Sequence, residues 1–133
     1  MDVASAFVGA WNAHDAARVM ALYADGYEGR DVGLAGIQRG PEGVRAALDR
    51  YLAAFPDFRL LPDDLVAQDD RIAVIWTAEG THRGPLLHIP PTGRSVTVRG
   101  CSYLIVRGDR IVRGLHLWDV AGLLRALGLL PEL

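Results

Sequence analysis

The spacing of apolar residues changes partway along the chain, and the change separates a helical first part from a strand-rich second part. From Val3 to about Tyr23, the residues Phe7, Val8, Trp11, Val19, Met20 and Leu22 recur at helical intervals. Asn12-Ala13-His14-Asp15 interrupts them, with Asp15 placed to cap a second helix, so the pattern predicts two short helices. Gly26 through Gly40 is glycine-rich and reads as irregular. Pro41 then stands in the first turn of a third helix that includes Val44, Leu48 and Leu52 and ends before Pro56. Beyond Phe58 the alternation is strand-like over Phe58 to Leu61, Asp64 to Gln68, Arg71 to His82 and Ser95 to Val106. Val106-Arg107-Gly108-Asp109-Arg110-Ile111 reads as a hairpin into a last strand, and Val120 to Leu127 as a closing helix. Helices followed by a mostly antiparallel sheet make the expected class α+β, in a single domain over 1–133.

Alternation also assigns faces. Ile72, Val74, Trp76, Ala78, Gly80 and His82 share one side of their strand, with Ala73, Ile75 and Thr77 opposite. On the last strand Ile111, Leu115, Leu117 and Asp119 fall together, and His116 and Trp118 lie across from them. Both faces carry apolar residues, so one is expected to meet the helices and the other a second subunit. A β-bulge would shift these phases.

Composition narrows the chemistry. At 50% hydrophobic and 23% charged, 133 residues suffice for a packed core. A net charge of −2 with scattered arginines argues against nucleic acid as partner. No apolar run reaches membrane-spanning length, the start lacks a basic leader pattern, and Cys101 has no second cysteine, so a cytoplasmic setting is expected. All 14 basic residues are arginines. Without lysine, no side chain can form a Schiff base, and an enolate has to be stabilised by hydrogen bonds or electrostatics. His14, His82, His88 and His116 show no metal-ligand spacing, so no metal or other cofactor is expected.

Asp119 is the single acid between Ile111 and Pro131, inside Leu115-His116-Leu117-Trp118-Asp119-Val120-Ala121. Pointed into an apolar cavity, it would be a general acid/base of raised proton affinity; placed before Val120, it would cap the last helix. Both readings stand. Trp11, Tyr27, Tyr51, Phe55, Trp76 and Tyr103 suit either a cavity for a flat ligand or an ordinary core. His82 reads as a pocket histidine or a loop anchor, His116 as a substrate contact or an outward residue, and Asn12 as an orienting group or a helix end.

Several stretches taken in order resemble the SnoaL-like polyketide cyclases of the nuclear transport factor 2-like superfamily: Ala10-Trp11-Asn12, Leu22-Tyr23-Ala24, Ala54-Phe55-Pro56-Asp57, Gly80-Thr81-His82-Arg83-Gly84, Ile89-Pro90-Pro91-Thr92-Gly93-Arg94 and Trp118-Asp119-Val120-Ala121-Gly122-Leu123-Leu124. The resemblance implies a cone-shaped fold, with helices closing a curved sheet around an apolar pocket. It also implies a cofactor-free intramolecular aldol cyclisation of a polyketide-like carbonyl compound. Its acid/base aspartate matches Asp119, and His82 falls in its Gly-Thr-His element. Arg30 stands near the place where many members carry a histidine, and joins the substrate-binding candidates. The expected partners are a small hydrophobic or aromatic polycyclic substrate and a second copy of the chain, as homodimer or larger homo-oligomer. Epoxide opening, or a non-catalytic ligand-binding or dimerisation module, are the alternatives on the same scaffold.

Overall fold

The computed structural model describes residues 2–132. Asp2 starts α1 (Val3–Asn12) by accepting the Ala4 and Ser5 N–H groups, and Asp15 does the same for α2 (Ala16–Met20) with Arg18. Next come β1 (Tyr23–Asp31), the short β2 (Gln38–Arg39) and α3 (Gly40–Ala54), with Pro41 in the first turn of the helix. The remaining elements are β3 (Arg59–Gln68), β4 (Arg71–Thr81), β5 (Ser95–Arg107), β6 (Arg110–Trp118) and α4 (Val120–Ala126).

The strands form one curved, unclosed sheet in the order β2-β1-β6-β5-β4-β3. All neighbours are antiparallel except β1 and β6, which run parallel and place Asp31 beside His116. The helices lie on one face, α1 against β3, α3 against β1 and α4 against β5. This is the expected α+β architecture.

Two expectations need correction. The stretch from Gly26 to Gly40 is irregular only over residues 32–37: Gln38–Arg39 form β2, Gly40 starts α3, and 26–31 belong to β1, with Gly29 and Asp31 facing inward. Gly29 has a packing reason. The Tyr27 ring lies across the paired Gly29 and Gly114, and a Cβ on either would overlap the Tyr27 hydroxyl. The second correction concerns the phase of β6. Ile105 pairs with Arg113 and Val106 with Ile111, so Val112 is an extra residue and the alternation flips there. Ile111 therefore shares the interior with Gly114, His116 and Trp118, whereas Leu115 and Leu117 face outward. Gly108 (φ 63°) makes the β5–β6 turn as expected.

Two packed groups fill the concave side. The larger joins Phe7, Val19, Leu48, Val74, Leu104 and Ile111 from the first three helices and the sheet. The smaller joins Phe55 at the end of α3 to Val96, Val98, Leu123 and Leu127. Burying such a side chain stabilises the fold by about 1.5–3 kcal/mol. Between the two groups the packing opens. Among the described residues no helix is long and apolar enough to cross a membrane.

Candidate active site

The opening is a cavity of about 100 Å³, several times the roughly 10–15 Å³ one water needs on that measure. Trp11, Tyr51, Phe55, Trp76 and His116, all expected from the sequence, line it. Phe7, Asp31, Phe58, Ser102 and Trp118 line it as well, and sequence reasoning missed them. Its walls are mostly aromatic and aliphatic, and apart from Gln38 and Glu79 its polar groups fall into two clusters on neighbouring strands.

The first cluster is built on Asp31, at the end of β1. It is 8% exposed and is the only buried carboxylate among the described residues. Its Oδ1 accepts from the Gly33 N–H and the Trp118 indole N–H, both at 2.8 Å, and its Oδ2 accepts from the Tyr51 hydroxyl at 2.7 Å. Gly33 has to lack a side chain, because a Cβ would run into the Trp118 ring. Burial, followed by the Asp31 charge and its hydrogen bond, pushes the Tyr51 phenol well above its ordinary range, so Tyr51 remains a donor. Burial, then the Asp31 charge, does the same to Tyr27. No arginine forms an ion pair with Asp31 among the described residues, and none of the cavity-lining residues is basic apart from His116. The carboxylate is held by three neutral donors and keeps one lone-pair direction on Oδ2 unused.

The second cluster is built on His116, the register partner of Asp31 on β6. Its ring stacks on Phe7, with centroids 6.3 Å apart and planes 5° from parallel. Its Nδ1 lies 2.7 Å from Ser102 Oγ, which also accepts the Trp76 indole N–H at 3.0 Å. Burial pulls the imidazole below its usual proton affinity, and the nearby Asp31 charge pulls the other way. Gly100, opposite Trp76 on β5, leaves room for the indole to reach Ser102.

Asp119 lies elsewhere, and the expectation that it points into the cavity is overturned. β6 directs His116 and Trp118 inward, so the next residue leaves the interior; the Asp119 side chain is exposed and bonds the Gly122 N–H at 2.8 Å as the cap of α4. His82 is also outside the lining. It is fully buried, and its Nδ1 meets Thr92 Oγ1 at 3.0 Å and the Thr92 N–H at 3.2 Å, while its backbone pairs with Arg94 and Gly93. These contacts tie His82 to the Thr92–Arg94 loop, while its buried Nε2 has no hydrogen-bond partner among the described residues.

Four further candidates fall outside the lining. Asn12 ties α1 to β3 through both backbone groups of Leu60, at 2.8 and 2.6 Å. Tyr27 lies behind the cavity wall over its glycine pair, and Arg30 is exposed between the inward Gly29 and Asp31. Tyr103 is on the outer face, where its hydroxyl accepts from Arg71 at 3.2 Å. Among the described residues no three His, Cys, Asp or Glu side chains gather as a metal site would require.

Solved structures share the fold. AclR of Streptomyces galilaeus, a candidate hydroxylase, superposes with a TM-score of 0.86 at 24% identity over 98% of this chain and 82% of its own. TsrD of Streptomyces laurentii gives 0.85 at 29% identity over 96% and 93%. IdmH of Streptomyces antibioticus, a candidate polyketide cyclase, gives 0.84 at 28% identity over 96% of both. No functionally curated protein matches significantly. Residues 1–127 match the family model described as SnoaL-like polyketide cyclase, and the chain belongs to that family.

Proposed function

We propose that this protein is a cofactor-independent enzyme that transfers a proton to start an intramolecular aldol cyclisation of a polyketide-like carbonyl compound, with Asp31 as general base. The observation that carries the reading is the placement of Asp31: a buried carboxylate in an aromatic cavity, next in register to a histidine that burial keeps neutral. Asp31 Oδ2 takes the proton alpha to a carbonyl, and the electron pair of that C–H bond moves onto the carbonyl oxygen. His116 stands beside it to interact with that oxygen, the enolate carbon then attacks the second carbonyl, and the resulting alkoxide takes the proton back from Asp31, giving the hydroxyl and restoring the carboxylate. The flat, apolar lining suits a small aromatic or polycyclic substrate. With the unpaired Cys101, the reducing cytoplasm is the compartment we assign.

Exchange of α-hydrogens for deuterium, followed by NMR on an aromatic β-keto ester, reads the first step without needing the natural substrate. The protein should accelerate exchange, and Asp31→Asn should remove the acceleration. Exchange no faster than buffer across a panel of such esters would leave the fold with a ligand-binding role.

We also propose that the chain self-associates through the outer face of the sheet. The register brings Ile75, Cys101 and Leu117 into one row there and Tyr103 and Leu115 into the next, with Leu117 47% exposed. Light scattering at micromolar concentration should give at least twice the 14.4 kDa chain mass. A monomer would contradict the assignment.

A further inference from the structure

We propose that Ser102, held by Trp76, is a positioning residue that fixes His116 in the tautomer carrying its proton on Nε2, so that the imidazole offers an N–H donor rather than a base. The use made of that donor rests on the carbonyl chemistry above; the tautomer itself does not.

The assignment comes from counting protons. A serine hydroxyl has one hydrogen and two lone pairs, an indole nitrogen can only donate, and a neutral imidazole has one donor and one acceptor nitrogen. Trp76 Nε1, 3.0 Å from Ser102 Oγ, must therefore donate and occupy one lone pair. The 2.7 Å contact between Ser102 Oγ and His116 Nδ1 then has two possible directions. If Nδ1–H donated, both lone pairs of Oγ would be filled and its hydrogen would need another acceptor. Ser102 is 1% exposed, and its Oγ makes no other hydrogen bond among the described residues. A buried hydroxyl hydrogen would be stranded, which is costly. If the hydroxyl donates to Nδ1, each group is used: Trp76 to Ser102 to His116. The proton of the neutral ring is then on Nε2.

The surroundings reinforce this arrangement. Phe7 stacks on the ring and restrains its rotation, and burial keeps it neutral, so the choice of tautomer is meaningful near neutral pH. Along the sheet, Asp31 and His116 are register partners. One therefore offers a lone pair on Oδ2 and the other an N–H. Removing a proton from carbon while donating a hydrogen bond to the adjacent oxygen needs that complementary pair, and a neutral histidine can serve as the donor. Two basic groups side by side would leave the developing oxyanion without a partner.

The test is ¹⁵N NMR of the imidazole rings in the intact, ligand-free protein at pH 7.5, with His116→Asn identifying the signals of this residue. In the unsubstituted protein His116 should show a protonated Nε2 and an unprotonated, hydrogen-bonded Nδ1, the Nε2–H form outnumbering the other by about tenfold or more. Ser102→Ala should lower that ratio and shift the Nδ1 resonance, while Ser102→Thr, which keeps the hydroxyl, should restore both. Trp76→Phe frees a lone pair on Ser102 and should lower the ratio in a protein whose hydroxyl is intact. A protonated Nδ1, a cationic ring, or a Ser102→Ala spectrum identical to the parent would overturn the proposal. Should the tautomer be as stated and α-hydrogen exchange absent, the positioning role stands and the cyclase reading falls; exchange with the other tautomer has the reverse consequence.

Discussion

Asp31 and Asp119 are both carboxylates at the end of a strand, each accepting a backbone N–H from the next turn of the chain, yet the fold puts them to opposite uses. Asp31 ends β1 on the inner face, so Trp118 and Tyr51 close over it and water is nearly excluded. Asp119 comes one position after the inward Trp118 of β6, so it leaves the interior and caps α4 in solvent. A single step in strand parity decides which carboxylate meets a substrate and which starts a helix.

Neutralising each acid in turn separates the two roles. Asp31→Asn keeps the shape: its oxygen can still accept from Gly33 and Trp118, and its amide can donate to the Tyr51 hydroxyl. It cannot accept a proton in the working pH range, so the α-hydrogen exchange rate should fall by about two to four orders of magnitude, measured by single-turnover NMR or mass spectrometry. The next effect is on stability. Gly114→Ala places a methyl group against the buried Tyr27 hydroxyl and should destabilise by about 1–3 kcal/mol in urea unfolding. The same change at the exposed Gly26, where a Cβ meets nothing within 4 Å, should not show this overpacking cost.

A pH titration separates the inner site from the rim more gently. Burial lowers the proton affinity of folded His116 below the ordinary value of 6.5, so the unfolded chain takes up this proton first as pH falls. This residue's contribution to stability is therefore intact above about pH 6.5, declines below it, and levels off once the folded form is also protonated. His116→Asn should flatten that part of the thermal midpoint against pH. The smallest effect belongs to the rim: Asp119→Asn exchanges one good cap for another and should change stability by only a few tenths of a kcal/mol by thermal unfolding.

The sequence made the α+β class, the three principal helices, the β5–β6 hairpin and the long strands legible, because each has a clear period or a stop signal. It also placed His116 and Trp118 opposite Asp119 on β6. It leaves the inner face of β6 undecided because Leu115 and Leu117 look as much like core residues as His116 and Trp118 do, and it groups Ile111 with Leu115 because the bulge at Val112 leaves no mark in the alternation. β1 is hidden by its own packing: from Gly26 through Gly29 to Asp31 the chain reads as irregular, and Gly29 makes sense only once Gly114, 85 positions away, is seen opposite it under the Tyr27 ring. With β1 unread, Asp31 had no face and could not be recognised. A signal was available: a Tyr-x-Gly-x-Asp alternation puts three unlike residues on one side, as a strand crossing a crowded site would.

Whether chemistry belongs to the buried carboxylate or to the helix cap is decided by a single pair of rates. Single-turnover α-hydrogen exchange should be compared for Asp31→Asn and Asp119→Asn against the unsubstituted protein, with circular dichroism confirming that both variants fold. The expected result is a loss of about a hundredfold or more for Asp31→Asn and a rate essentially unchanged for Asp119→Asn. A folded Asp31→Asn protein that keeps its rate, beside an Asp119→Asn protein that loses it, would return the chemistry to the helix cap.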